Sequence, residues 1–310
     1  MRTRDHRLLA RIARIPAKIA RTFAVRGCDD VLVVHWANRR IIGRNWGDKL
    51  NPVLCRMLSG LDVVHCYDVF PASGKPVHYV VGSSLERAQR RGGVVWGAGF
   101  IDSAQGLRRP PGALHAVRGH LSRETLRGLG VDCPATVGDP ALLMPRLYTP
   151  RPLARRWRVG VIAHCYERDL GLVRAWALPD GWRAIDITDD LFDVVDQLVA
   201  CDEILSSSLH GLVCAEAYGL PSRWIRLSDR PAGDGFKYHD FYSAIGKRDE
   251  APADVESAAD WTRLAGTSPP PADPDVIARV CDDLIAACPF TPANRRATGT
   301  APKRTDLPGG

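Results

Sequence analysis

The chain has no Cys-x-x-Cys pair, no apolar run close to the roughly 20 residues needed to span a bilayer, and no internal repeat of the solenoid kind. Its nine cysteines (Cys28, Cys55, Cys66, Cys133, Cys165, Cys201, Cys214, Cys281, Cys288) are scattered and odd in number. This pattern excludes a zinc knuckle and argues against a secreted disulfide framework; it predicts free thiols in a reducing, cytoplasmic compartment. Cys214, set in Leu-Val-Cys-Ala, reads as a small hydrophobe. Nothing has metal-ligand spacing, so a metal-independent chemistry is expected.

What the chain does have is positive charge, unevenly placed. The formal net charge is +7 over 310 residues. Residues 1–26 hold eight Lys or Arg against Asp5, and residues 291–310 hold four against Asp306. The stretch between is mildly acidic, which argues against a duplex-binding surface, and no nucleic-acid partner is expected. In the first segment Leu8, Ile12, Ile15, Ile19 and Phe23 fall at helical spacing, with Arg7, Arg11, Arg14, Lys18 and Arg21 alongside. A basic amphipathic helix of this kind suits an anionic membrane face, with Pro16 expected to kink it. A frayed basic extension or an arginine-rich transit peptide has the same composition.

From Val31 onward short apolar runs alternate with helical patterns. Strands are expected at 31–37, 77–81, 94–96 and 114–118, with helices at 51–58, where Asn51 caps and Pro52 opens the helix, and at 123–129, where Ser122 caps. After the proline-rich stretch 148–152 the alternation restarts. Strands are expected at 158–163, 182–187, 203–206 and 223–227, with helices at 191–201, from Leu209, and at 275–287. The fold class implied is α/β, with two parallel-sheet, Rossmann-like domains facing a cleft. The division is a basic segment 1–26, an N-terminal domain 27–150, a C-terminal domain 151–290 and a disordered tail 291–310.

The most informative stretch runs from Glu203 to Ala217. A buried strand passes through Ser206, Ser207 and Ser208 into a helix that opens on Leu209 and His210. Free backbone N–H groups at such an N-terminus favour anions, and the carboxyl edge of a parallel sheet is where ligands sit. The positive end of the helix disfavours a protonated imidazole until an anion arrives. His210 is thus either a capping or packing residue, or an acid that substrate binding switches on.

Other loops at strand ends add candidates. Asn45 and Asp48, in Gly43-Arg44-Asn45-Trp46-Gly47-Asp48, can hydrogen-bond sugar hydroxyls or cap the next helix. Gly82-Ser83-Ser84 and Gly97-Ala98-Gly99 allow close approach. Arg118 can clamp a phosphate or carboxylate, or form a surface ion pair. His164 is expected to face the cleft. The segment 236–242, with Lys237, Tyr238 and Asp240, suits a sugar ring or packing on the last helix.

Taken in order, Asn45-Trp46-Gly47-Asp48-Lys49-Leu50, Val95-Trp96-Gly97-Ala98-Gly99, Val117-Arg118-Gly119-His120-Leu121-Ser122, Val137-Gly138-Asp139-Pro140-Ala141 and Ser206-Ser207-Ser208-Leu209-His210-Gly211 resemble the polysaccharide pyruvyl transferase family, over about residues 31–250. The resemblance implies a glycosyltransferase-B-like fold, phosphoenolpyruvate as donor with no further cofactor, and a sugar acceptor, free or lipid-linked, that receives a pyruvate ketal. It implies His210 as the catalytic acid, with Arg118, Ser207, Ser208, Leu209 and Lys237 on the donor side and Asn45, Asp48 and His164 on the acceptor side. Many members carry Arg-Leu-His where this chain has Ser208-Leu209-His210, which leaves Lys237, Arg226 or helix N–H groups to hold the anion. The alternatives are a nucleotide-sugar glycosyltransferase, suggested by Glu216-Ala217-Tyr218-Gly219-Leu220-Pro221 but lacking a second Glu at Ser208, and a non-catalytic saccharide-binding protein.

Overall fold

The computed structural model describes residues 15–37, 45–90, 92–154, 156–174, 177–248 and 250–297. Leu8, Ile12, the five arginines before residue 15, Gly43, Arg44 and the tail 298–310 lie outside the described residues.

Two five-stranded parallel sheets make up the α/β core. In the first, β1 (Val31–His35) pairs with β2 (Asp62–His65) and β3 (Val77–Tyr79), followed by β4 (Val94–Trp96) and β5 (Ala113–Ala116). The run Val-Leu-Val-Val-His is β-branched and buried almost throughout, as a central parallel strand covered on both faces must be. In the second, β6 (Trp157–Ile162) lies between β7 (Trp182–Ala184) and β8 (Cys201–Ser206), and β9 (Ser222–Arg226) and β10 (Ala253–Asp254) continue beyond β8. Counted from its own first strand, each sheet has the order 2-1-3-4-5. Each therefore reverses direction once, between β1 and β3 in the first and between β6 and β8 in the second, and a crevice opens at the carboxyl ends there.

The two halves share one apolar core, which contains Leu50, Trp96 and Leu142 beside Ile204, Leu212 and Phe241. Indole groups tie them further: Trp46 Nε1 donates to Leu191 O at 2.9 Å, and Trp96 Nε1 to Leu284 O at 2.8 Å. Lys49 Nζ reaches Thr188 O at 2.7 Å. The helix Pro274–Ala287 packs back against the first half, where Leu284 and Val280 flank Gly138.

Several expected boundaries move. The first long helix spans Trp46–Ser59, with Asn45 at the N-cap position but making no side-chain capping bond, so Asn51 is no cap and Pro52 lies inside the helix. Asn51 is buried because its amide donates to Gly47 O and Val81 O and accepts from Val81 N, tying the helix to the exit of β3. The next helix is His120–Gly128 behind Gly119, and Ser122 is a buried member of it rather than its cap. Segment 236–242 is the helix Phe236–Ala244, whose Tyr238, Phe241 and Tyr242 are core residues, so packing and not a sugar platform accounts for them. Pro16 lies in the described helix Ile15–Val25, and the residues before it, where a kink is expected, lie outside the described residues. Residues 292–297, expected as tail, form a short helix.

Candidate functional site

The crevice of the second sheet is built by the exits of β6 and β8. β8 ends at Ser206, whose hydroxyl lies within hydrogen-bond distance of Ile162 O and Ser208 O, with one proton to share between them, and accepts from Ser208 N, fixing the turn between strand and helix. Ser208 takes the N-cap position with φ −98° and ψ 127°, and the helix Leu209–Ala217 begins as the sequence predicts. Gly211 is required in that first turn, since a Cβ there would collide with the Ser206 hydroxyl. Ser207 accepts from His164 N at 2.9 Å and donates to Glu167 Oε2 at 2.5 Å, and its carbonyl accepts from Tyr238 Oη at 2.7 Å.

His210 is 8% exposed, and its Nε2 is buried without a hydrogen-bond partner. Burial, then the positive charges of Arg118 and Lys237, and then His164 hold its pKa at about 3. The expected direction is right, but desolvation, and not the helix terminus, is the leading cause. The imidazole is neutral at pH 7 and accepts no proton until something anionic changes its surroundings.

The opposite wall comes from the first half of the chain. Gly47, in the first turn of the helix Trp46–Ser59, lies directly against the His210 ring, so that any Cβ at this position would overlap Cε1, Nδ1 and Nε2 alike. Gly47→Ala is therefore expected to displace the imidazole and lower turnover at least tenfold, while the overpacking itself costs about 1–3 kcal/mol. Turnover unchanged beside a wild-type thermal midpoint would show that this close contact has no role in activity.

Next to Gly47, Asp48 Oδ1 accepts from Ala37 N at 2.9 Å, and burial raises its pKa to about 6. Asp48 acts electrostatically on Cys165 and Tyr166 of the other half. Asn45 has its Oδ1 buried and without a partner. His164 is half-buried, its Nδ1 accepts from Tyr166 N at 3.3 Å, and burial followed by the Lys237 charge lowers its pKa to about 4.

Arg118 follows β5 and is completely buried. It pairs with Asp240 at 2.8 Å, donates to Ser83 Oγ at 2.8 Å and to Phe100 O at 2.5 Å, and leaves Nε without a partner. Asp240 also accepts from Ser122 N and Ser122 Oγ, at 2.8 and 2.7 Å. Lys237 is 6% exposed, donates to Ala232 O at 3.0 Å, and has its pKa lowered to about 8 by burial and the nearby Arg118 charge. Arg226, by contrast, is exposed and doubly bonded to Asp254, so the two cations beside His210 are Arg118 and Lys237.

Two buried carboxylates were not among the expected site residues. In the sequence Asp240 is only part of an aromatic segment, because a sequence does not reveal that a helix 118 residues later will meet Ser122. Glu167 is fully buried and bonded to the Ser207 and Ser228 hydroxyls at 2.5 and 2.6 Å. A lone Glu in the loop after a strand carries no pattern that marks it. Glu216 stands two turns from His210, near the far end of its helix, bonded to Lys247, Ser222 and Ala272 N. Among the described residues no group of three or more His, Cys, Asp or Glu side chains is placed to hold a metal ion.

Acidification tests the burial of the imidazoles. His35, His78 and His164 have pKa values held near 4 and His210 near 3, all below the unfolded value of about 6.5. Below pH 6.5 the unfolded chain takes up protons that the folded chain refuses, so stability present at neutral pH is lost toward pH 4, on the order of 3 kcal/mol for each buried imidazole. Asp48 and Asp139, raised to about 6, act in the opposite sense over the same interval, but they are two against four. The thermal midpoint should fall steadily from pH 7 to pH 4. A flat or rising midpoint would contradict the burial of these rings.

Two doubly wound parallel sheets that share one core, with a buried neutral histidine at the switch point of the second, define a protein of two Rossmann-like α/β halves. The family model of polysaccharide pyruvyl transferases matches residues 45–229, from Asn45 to a point just past β9, and the chain belongs to that family. An uncharacterized protein, L143, of Acanthamoeba polyphaga mimivirus is 27% identical over 217 residues, covering 66% of this chain and 73% of its own. Succinoglycan biosynthesis protein ExoV of Rhizobium meliloti (strain 1021) is 26% identical over 133 residues, covering 43% of this chain and 40% of its own length.

Proposed function

We propose that the chain transfers the pyruvyl unit of phosphoenolpyruvate to two hydroxyls of a sugar, in a polysaccharide or its precursor, releasing phosphate and leaving a pyruvate ketal. The observation that carries this reading is His210: a buried neutral imidazole with an unpartnered Nε2, beside Arg118 and Lys237. Two cations suit a donor that carries both a phosphate and a carboxylate. The N–H groups of the helix that begins behind Ser208 add to them, with Ser207, Ser208 and Leu209 forming that wall.

The donor's negative charge offsets the two cations that depress His210, which can then hold a proton and give it to the C3 methylene. C2 becomes electrophilic as C3 becomes a methyl group, and a sugar hydroxyl adds there. Asp48, next to Gly47 on the wall from the first half, and His164, whose charge state also acts on His210, receive the hydroxyls. The ionised Asp48 takes the proton that the attacking oxygen gives up, and Asn45 Oδ1 accepts from a neighbouring hydroxyl. Phosphate departs from C2 with the proton that Asp48 has collected, leaving as hydrogen phosphate, and the second hydroxyl closes the ketal as its proton returns to His210, which is thereby reset. The relative named for succinoglycan biosynthesis supports a saccharide acceptor.

Because His210 is deprotonated in the free protein, donor binding at pH 7 should take up a proton. Calorimetry of phosphoenolpyruvate binding in buffers of different ionisation enthalpy measures this directly, and a heat independent of buffer would remove His210 from the role of acid. The reaction itself is tested by phosphate release that requires both phosphoenolpyruvate and a saccharide. A thermal shift with phosphoenolpyruvate but not with nucleotide sugars is expected. A shift with a nucleotide sugar alone would overturn the reading in favour of a glycosyltransferase. Glu216, the residue that suggested that activity, already has its carboxylate held by Lys247, Ser222 and Ala272 N.

A further inference from the structure

The helix Ile15–Val25 packs on the loop that follows β2, around Asp68 and Phe70, with its polarity reversed. Its polar side chains face the protein: Arg21 pairs with Asp68 at 3.3 Å, Lys18 lies over the Phe70 ring at 4.3 Å, and Thr22 Oγ1 accepts from Phe70 N at 2.9 Å. Buried Thr22 and Val25 complete the docked side. The solvent side is apolar. Of the eight exposed residues in this helix, seven are Ile15, Pro16, Ala17, Ile19, Ala20, Phe23 and Ala24, and only Arg21 is charged. Phe23 is 64% exposed and Ile15 and Ile19 are each 43% exposed, so the largest apolar side chains of the helix are the least covered.

Contiguous apolar surface of this kind on a soluble fold marks a contact site. Its occupant is narrowed by charge, since residues 1–26 carry eight Lys or Arg and one Asp. A second copy presenting the same face would bring two strongly cationic segments together, at a cost in repulsion. An anionic surface is attracted to them, and a flat lipid surface admits Ile and Phe side chains without a shaped pocket. No described helix is long and apolar enough to cross a membrane, so the contact would lie in the interface plane.

We propose that the helix Ile15–Val25, with the basic segment that precedes it, docks the protein on an anionic lipid bilayer, with Ile15, Ile19 and Phe23 entering the headgroup region. Neither this helix nor its partners Asp68 and Phe70 are among the residues placed around His210, so this holds or fails independently of the reaction proposed above.

The test is flotation of the full chain with vesicles of phosphatidylcholine alone or phosphatidylcholine mixed with phosphatidylglycerol. Binding only to the anionic vesicles, weakening as ionic strength rises, is expected. Ile19→Ser and Phe23→Ser, both at exposed positions, should each weaken it about tenfold without moving the thermal midpoint. Arg7→Glu with Arg11→Glu should abolish it. Equal binding to both vesicle types, or none to either, would overturn the proposal. So would a concentration-dependent dimer that Phe23→Ser dissociates, which would make the stripe a contact between copies.

Discussion

Replacing His210 with alanine is expected to lower turnover by roughly 10²–10⁴, the contribution of a positioned general acid, while phosphoenolpyruvate still raises the thermal midpoint. The split between turnover and binding matters. Arg118, Lys237 and the backbone of the Leu209–Ala217 helix remain in the variant, and these groups suit the donor's charges. The imidazole contributes little to binding the ground state because it is neutral and its Nε2 has no partner before the donor arrives. Removing it relieves a buried polar atom, so stability should not fall sharply. Single-turnover kinetics read the chemical step, and the thermal shift with donor reads binding. Unchanged turnover in His210→Ala would sink the proposed mechanism, whatever the family.

The second large effect concerns the ion pair of Arg118 and Asp240. Both side chains are wholly buried, so loss of either leaves the other's charge in a low-dielectric surrounding without its ion-pair partner. Arg118→Ala or Asp240→Asn should each cost about 3–5 kcal/mol, seen as a fall of several degrees in the thermal midpoint. The family resemblance puts Arg118 on the donor side, so Arg118→Ala is also expected to weaken donor binding. The ion pair adds a structural loss to that expectation. The two contributions separate in the double variant Arg118→Met with Asp240→Leu, which removes both charges and should recover part of the stability. It will not recover all, because Ser122 N and its hydroxyl lose their acceptor. Donor affinity should stay low in the double variant if Arg118 serves the donor. Wild-type affinity there would make Arg118 purely structural. A single variant as stable as wild type would contradict the buried pairing.

Local pattern made much of the molecule readable. Buried β-branched runs, the capping position at Ser208 and the alternation of strand and helix gave the α/β class, the doubled parallel sheet and the helix that starts at Leu209. These signals lie within a few residues of one another, so no tertiary knowledge is needed to read them. Helix starts were less secure. Asn51 and Ser122 have the chemistry of caps, yet each is taken up by a partner elsewhere, Asn51 by Val81 and Ser122 by Asp240. A side-chain hydrogen bond made at a distance competes with a local one, and the sequence does not say which wins.

By itself, then, the sequence determined the fold class, the place of His210 at a strand-to-helix turn, and the concentration of positive charge at the start of the chain. Tertiary structure decided what stands around each of these. It placed Gly47 against the His210 ring, Asp240 on Arg118, Glu167 under Ser207, and the polar side of the first helix against the protein. The reason is physical: secondary structure follows from neighbours in the chain, whereas burial, counter-charge and the desolvation that keeps His210 neutral come from residues far away in the chain, brought together only when the two sheets share a core.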